Sequence, residues 1–412
     1  MISQVNNRLN ILWIKADPLH PADSGGRIRT YKMLLELSVN HEITYLALFP
    51  KGTDKDAKAK AHEYSSSQIW IPWKDTKKKS LRFLFQLLKN FFFSKNPFVI
   101  DKYSNHKVRD AVEELLSRKD FDFVISDFLS LSGNIINLEK RQSKFIVFQH
   151  NVESQIWQRH YQTASNIIEK AYMYIQWQRF QRFEKMVCSW FDGVIGVSKE
   201  DVVFFRQKLS LTNVLGDVPT GVDVEYFQQM PYLPENNSIV FLGSMDWLPN
   251  IEGICHFVKK VYPLIVQQCP EVTLTIVGRN PTAKILALAK DKNITVTGTV
   301  DDVRTYLSKS KVSIVPLLVG GGTRIKIFEL MATGIPVVST SIGAEGLPVQ
   351  HSKHILMADE PDAFASEVIR LLENPELCRN ISDNALKLVK ENYSWKIATR
   401  RFEDLLINNK ER

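Results

Sequence analysis

Short apolar runs separated by helical stretches recur along the whole chain, and this alternation restricts the fold more than any other feature. NILWIKA (10–16), EITYLAL (42–48), SQIWI (67–71), FDFVISD (121–127), KFIVFQH (144–150) and DGVIGVS (192–198) are rich in Val, Ile and Phe and show little polar alternation. Strands covered on both faces read this way. The first is followed by the turn-rich DPLHPADSGG (17–26) and a helical pattern from Arg27 to Leu37. Strand–helix alternation predicts an α/β fold with a doubly wound parallel sheet.

VPTGVDVEYFQQMPYLPENN (218–237) breaks the rhythm with three prolines, a glycine and paired asparagines, as a linker does. The alternation then restarts with SIVFLGS (238–244), VTLTIVG (272–278), ITVTG (294–298), VSIVPL (312–317), PVVST (336–340) and a strand near 354–357. Predicted helices lie between them at 250–268, 281–291, 301–308 and 323–333, and two or three more close the chain. The expected domains are 1–218 and 238–392, joined by 219–237, with a final helical segment at 393–412. The length of 412 residues suits two such domains, each large enough to bury a core.

Composition excludes several classes. With 44% hydrophobic and 24% charged residues the chain is neither disordered nor collagen-like. Cys188, Cys255, Cys269 and Cys378 form no CxxC pair, so no zinc site or disulfide framework is expected. No apolar run is long enough to predict a transmembrane helix, and the N-terminus does not read as a secretion signal. The net charge of +8 belongs to residues 1–220, which hold 32 Lys and Arg against 23 Asp and Glu. An excess confined to one half points to an anionic surface as partner.

VPLLVGGGTRIKIFELMATGIPVVSTSIGAEGL (315–347) carries the most chemistry. A strand ends at Pro316, Gly320, Gly321 and Gly322 form a loop, and Thr323 can cap the helix that follows. Glycines let a backbone approach a ligand, and a helix start offers free N–H groups to anions. Arg324 and Lys326 in the first turn oppose the helix dipole, which a bound diphosphate would explain. Glu329 shares a face with Lys326 and could accept both hydroxyls of a ribose. The plainer alternative is a tight turn followed by a solvated Lys326–Glu329 pair.

Taken in order with other stretches, this segment resembles the donor-binding signature of retaining glycosyltransferases of family 4. The companion motifs are Gly25-Gly26, QHNVE (149–153), GVSKED (196–201), PTGVD (219–223), FLGSMDWLPN (241–250), VGRNP (277–281) and VTGTVDD (296–302). The resemblance implies the GT-B fold, two Rossmann-like doubly wound domains facing a central cleft, with the last helix returning to the first domain. It implies a hexosyltransferase that moves sugar from a nucleotide diphosphate-sugar to a glycan hydroxyl, with retention of configuration. The acceptor is expected to be lipid-linked and the setting cell-surface polysaccharide synthesis at the cytoplasmic face of the cell membrane.

Glu329 matches the second glutamate of the family's E-x7-E motif, which binds the ribose. The first falls on Gly321, which resembles a variant branch with GGGTRxK. The family's Arg/Lys pair after the first strand of the second domain is absent, replaced by GSMDW (243–247). Arg324 and Lys326 are placed to take over the diphosphate, so neither a metal nor another cofactor is expected. His150 matches a family histidine beside the donor sugar, and Gly25 and Gly26 would bring backbone N–H groups near phosphates or acceptor. Two other readings remain open: a catalytically silent sugar-nucleotide or glycan binder, favoured by Gly321, and a sugar-nucleotide epimerase of the same fold.

Asp54/Asp56 and Asp120/Asp122 match a D-x-D metal pattern but read as surface loops. KKKSLRFLFQLLKNFFFSKNPF (77–98) has six cations and no acid, with Leu81, Leu84, Phe85, Leu88 and Phe92 on one helical face. Such a helix suits an anionic membrane interface, the alternative being a core helix with a basic outer side. No nucleic-acid signature accompanies it, so no nucleic-acid partner is expected. Trp157, Trp177 and Trp190 fall in a helical stretch at 153–190 and read as packing residues.

Overall fold

A computed structural model describes residues 8–22, 24–53, 56–76, 80–164, 166–245, 247–319 and 325–410. The chain divides into two compact units, Met1–Pro219 with Ala398–Arg412, and Thr220–Ile397.

The first unit holds seven parallel strands: β1 (Asn10–Lys15), β2 (Glu42–Pro50), β3 (Ser67–Trp73), β4 (Phe123–Asp127), β5 (Lys144–Phe148), β6 (Gly193–Gly196) and β7 (Val214–Asp217). They lie in the order β3-β2-β1-β4-β5-β6-β7. Ile11 of β1 pairs with Ile43 of β2 on one side and Phe123 of β4 on the other. The apolar runs form strands because helices cover both faces, as the burial of nearly all of β1, β4 and β5 shows. The order reverses between β1 and β4, so the loops leaving their carboxyl ends diverge and open a crevice there.

The last helix, Trp395–Lys410, is tied into this unit from Ala398 onward. Phe402 packs at 5.5 Å on Trp13 and at 5.2 Å on Phe148. Arg401 donates to Asp217 Oδ1 at 2.7 Å, and Glu403 meets His41 Nε2 at 3.0 Å.

The second unit holds six parallel strands: β8 (Ser238–Leu242), β9 (Thr273–Val277), β10 (Ile294–Gly298), β11 (Val312–Val315), β12 (Val337–Ser339) and β13 (Leu356–Met357). Their order is β10-β9-β8-β11-β12-β13, reversing between β8 and β11. Two Rossmann-like parallel-sheet units were expected and are found. Within 219–237 the chain turns through the helix Val224–Gln228, started by Asp223 accepting from Tyr226 N–H at 3.0 Å, and buries Phe227 in the second unit's core.

Three local readings change. VLGD (214–217) is a seventh strand that the sequence patterning missed. The stretch 153–190 is two helices, Glu153–Thr163 and Ile167–Trp190, because Asn166 caps the second by accepting from Ile168 N–H at 2.8 Å. The expected helix at 281–291 shrinks to Ala283–Leu286 and a 3-10 turn, Ala287–Lys290.

Candidate active site

In the first unit, three neighbouring strands deliver charged or polar groups from their carboxyl ends. Lys15 is the last residue of β1 and Asp127 the last of β4, while His150 follows β5 by two residues. All three are buried. Asp127 Oδ2 accepts from Trp13 Nε1 at 3.0 Å, Lys15 Nζ at 3.0 Å and the Thr30 hydroxyl at 2.6 Å. His150 Nε2 lies 2.9 Å from Oδ1, off the line of a well-directed hydrogen bond. A bare nitrogen lone pair at that distance would repel the carboxylate. The proton therefore belongs on Nε2, leaving Nδ1 as the acceptor.

Burial favours the neutral acid at Asp127, but Lys15, His150 and the Thr30 hydroxyl outweigh it and hold the carboxyl well below its usual range. Burial lowers the His150 pKa to about 4 against the pull of Asp127, with Arg29 and Lys15 adding to the drop. The imidazole is thus neutral at neutral pH. An unfolded histidine takes up its proton near pH 6.5, before the folded one does. The His150 contribution to stability should therefore fall by about 2 kcal/mol between pH 7 and pH 5. Buried Glu153, Glu184 and Glu329, held near 7, act in the opposite sense over the same range, so the measure is the difference between wild type and His150→Gln in urea unfolding at the two pH values. The variant should gain about 2 kcal/mol relative to wild type on going from pH 7 to pH 5, and a difference that does not change with pH would contradict the assignment.

The helix Gly25–Ser38 starts beside this group. Its first intrahelical N–H bond is Ile28 to Ser24 at 2.9 Å, so the earlier amides have no acceptor within the helix. A Cβ on Gly26 would sit 3.4 Å from the Phe128 ring, and that ring lies 4.1 Å from the His150 ring. Arg29, one turn on, is buried, donates to the Val218 carbonyl and lies 5.0 Å from the Phe148 ring. Burial lowers its pKa to about 9, so it remains a cation at neutral pH.

Below His150, Glu184 is fully buried. Its Oε1 accepts from Gln149 Nε2 at 3.3 Å and Glu153 N–H at 3.0 Å, and its Oε2 from Ser154 N–H at 3.1 Å and the Ser154 hydroxyl. Glu184 thereby satisfies the start of the helix after His150. Burial pushes the carboxyls of Glu184 and Glu153 up to about 7.

In the second unit, the helix Ile325–Thr333 meets residues that follow β8. Lys326 Nζ donates to Asn250 Oδ1 at 2.8 Å and lies 5.0 Å from the Phe241 ring. Asn250 is buried and donates through Nδ2 to the Ser244 carbonyl at 2.9 Å. A Cβ on Gly243 would stand 2.7 Å from that Nδ2, and one on Gly278 would run into the Gly243 carbonyl. Arg279 reaches the same loop from β9, its Nε donating to Ser244 Oγ at 3.1 Å. Burial raises the Glu329 carboxyl to about 7, with Lys326 pulling the other way.

Of the expected site residues, Lys326 and Glu329 share one helix of the second unit, while Gly25, Gly26 and His150 group in the first. Gly320, Gly321, Gly322, Thr323 and Arg324 lie outside the described residues. Sequence reasoning missed Lys15, Asp127, Glu184, Asn250 and Arg279. The usable signal was a charged residue closing a buried apolar strand, as Lys15 and Asp127 do. Asp122 of the second D-x-D pattern accepts from Asn10 N–H at 2.7 Å, an internal role. Among the described residues, no cluster of three or more His, Cys, Asp or Glu could hold a metal ion.

Residues 236–374 match the family described as glycosyl transferases group 1. The matched stretch lies within the second unit. The full chain is 22% identical over 406 residues to an uncharacterized 44.6 kDa protein in the cps region of Klebsiella pneumoniae, covering 94% of this chain and 97% of that one. It is 25% identical to the MMP alpha-(1->4)-mannosyltransferase of Mycolicibacterium hassiacum over 68% of each chain. HepE of Anabaena, solved in complex with UDP, superposes with a TM-score of 0.64 at 14% identity over 97% of this chain and all of that one. The fold of the chain is thus that of the GT-B class, two Rossmann-like parallel-sheet units.

Proposed function

We propose that this protein transfers a hexosyl group from a nucleotide diphosphate-sugar to a hydroxyl of a glycan acceptor, with retention of configuration. The arrangement of Lys326 and Glu329 on one helix start, beside the Gly243–Asn250 loop, supports this reading most. Lys326 and Arg324, with the N–H groups of Gly320–Gly322 and Thr323, hold the diphosphate. Negative charge grows on that group as the bond to the sugar breaks, and cations fixed in advance stabilise it. In this reading they supply the charge that a metal ion would otherwise bring. Glu329 accepts from the ribose hydroxyls. His150, neutral and with Nδ1 as acceptor, meets the donor sugar or the incoming hydroxyl, and Gly25 and Gly26 offer amides near it.

The UDP bound by HepE supports a nucleotide donor. The cps region of the Klebsiella relative supports a role in cell-surface polysaccharide synthesis, which fits a lipid-linked acceptor. The enzyme works on the inner face of the membrane, where nucleotide sugars are made, held there by the basic apolar segment 77–98.

Incubating the protein with UDP-, GDP- and dTDP-sugars and a membrane lipid extract tests this reading. Nucleoside diphosphate release that needs the extract, with an axial or equatorial linkage matching the donor's, is the expected result. Tight donor binding without turnover would mean a silent binder, and sugar conversion without acceptor an epimerase. Glu329→Ala should raise the donor KM about tenfold, or about 1.4 kcal/mol, with a smaller change in kcat. An unchanged KM would remove the ribose role.

A further inference from the structure

The Leu81–Phe93 helix turns its apolar stripe away from the first unit's core. Its inner side is Phe83, edge-on to Phe98 at 5.4 Å, together with Asn90 and Phe91. Asn90 is buried and bonded to Gln176, Arg179 and Asp101. The outer stripe is left in solvent: Leu81 is 87% exposed, Phe85 68%, Phe92 69% and the adjoining Phe93 86%. Single exposed apolar residues are ordinary, but a contiguous run marks an interaction surface.

The run continues onto a second helix. Phe92 meets Phe91 at 5.0 Å, and Phe91 lies on Tyr172 of the Ile167–Trp190 helix at 6.2 Å. Ile168, one turn before Tyr172 on the same face, is 78% exposed, and Ile167 is 84% exposed. Ile167, Tyr161, Lys170, Ala171 and Tyr174 line a shallow groove of about 290 Å³. Tyr161 stacks on Trp177 at 5.7 Å, and Lys170 Nζ lies 5.4 Å from the Tyr161 ring. Aliphatic tips bordered by Tyr, Trp and Lys match the boundary between lipid chains and headgroups, where rings and ammonium-tipped stems are both at home.

Charge agrees with that occupant. Arg82, Lys89 and Lys95 are exposed, and residues 77–98 contain no acid. Glu169, beside Lys170, sits in the first turn of its helix, where a carboxylate is favoured. Among the described residues no helix is long and apolar enough to cross a membrane.

We propose that the outer face of the Leu81–Phe93 helix and the Ile167–Ile168 corner form one insertion surface for an anionic lipid bilayer, with Tyr161, Tyr174 and Trp177 at headgroup level. The inference rests on the reading that segment 77–98 meets a membrane, and adds to it the second helix as a partner in insertion.

The test is flotation of the full chain with phosphatidylcholine vesicles, with and without phosphatidylglycerol. The wild type should float with the anionic vesicles and less so in high salt. Both Leu84→Ser/Phe85→Ser and Ile167→Ser/Ile168→Ser should cut partitioning about tenfold while the melting temperature holds, since all four side chains already face solvent. Full binding by the isoleucine variant with loss in the Leu84/Phe85 variant would overturn the joint surface and leave the first helix's role standing. No vesicle binding by the wild type would overturn both. A concentration-dependent dimer, dissolved by the same substitutions and indifferent to lipid, would assign the face to a second copy and overturn the proposal. Turnover on a soluble acceptor reports on transfer separately from every one of these results.

Discussion

Asp127→Ala lowers the unfolding free energy of the first unit by about 3–5 kcal/mol, the cost of leaving a buried charge unmatched. Asp127 is fully buried and closes a strand in the middle of the sheet. The substitution strands the Lys15 ammonium and removes the acceptor for Trp13 Nε1 and the Thr30 hydroxyl. Arg29, buried nearby, loses a compensating charge as well. Asp127→Asn keeps an acceptor but no charge, and should cost less. Urea unfolding followed by tryptophan fluorescence measures both. A loss below about 1 kcal/mol for the alanine variant, within the range of an ordinary surface change, would show that Asp127 does not hold the carboxyl ends of β1, β4 and β5 together.

Lys326→Ala should lower kcat/KM at least about tenfold, or about 1.4 kcal/mol or more. The ammonium is held at 2.8 Å by Asn250, which the bare Gly243 backbone makes room for. It is a cation fixed in place before any ligand arrives, the condition under which electrostatic stabilisation of a leaving group is strongest. If its partner is the diphosphate, the loss falls on kcat as well as KM, because charge on the leaving group peaks in the transition state. Asn250→Ala keeps the charge and loosens it, so its effect should be smaller and of the same kind. Wild-type kinetics for Lys326→Ala would separate Lys326 from the donor.

The two parallel sheets were readable from the sequence because strands buried on both faces appear as unbroken apolar runs. VLGD (214–217) escaped because four residues with a glycine and an aspartate show no such run. Lys326 and Glu329 stood out through local spacing on one helix. The partners that give them meaning did not, since Asn250 is 76 residues from Lys326 and Lys15 is 112 from Asp127. Pairings of that kind arise only when strand ends are brought side by side. The Leu81–Phe93 helix shows the opposite limit: its apolar stripe was plain, but the face turned inward is decided by Asn90, through bonds to Gln176 and Arg179 that no periodicity reveals.

Calorimetric titration of UDP, GDP, dTDP and ADP into the wild type and into Lys326→Ala tests the diphosphate site most directly. The expected result is saturable one-to-one binding of at least one of the four, weakened about tenfold in the variant, which is about 1.4 kcal/mol. Absence of binding by all four, or equal affinity in both proteins, would contradict it.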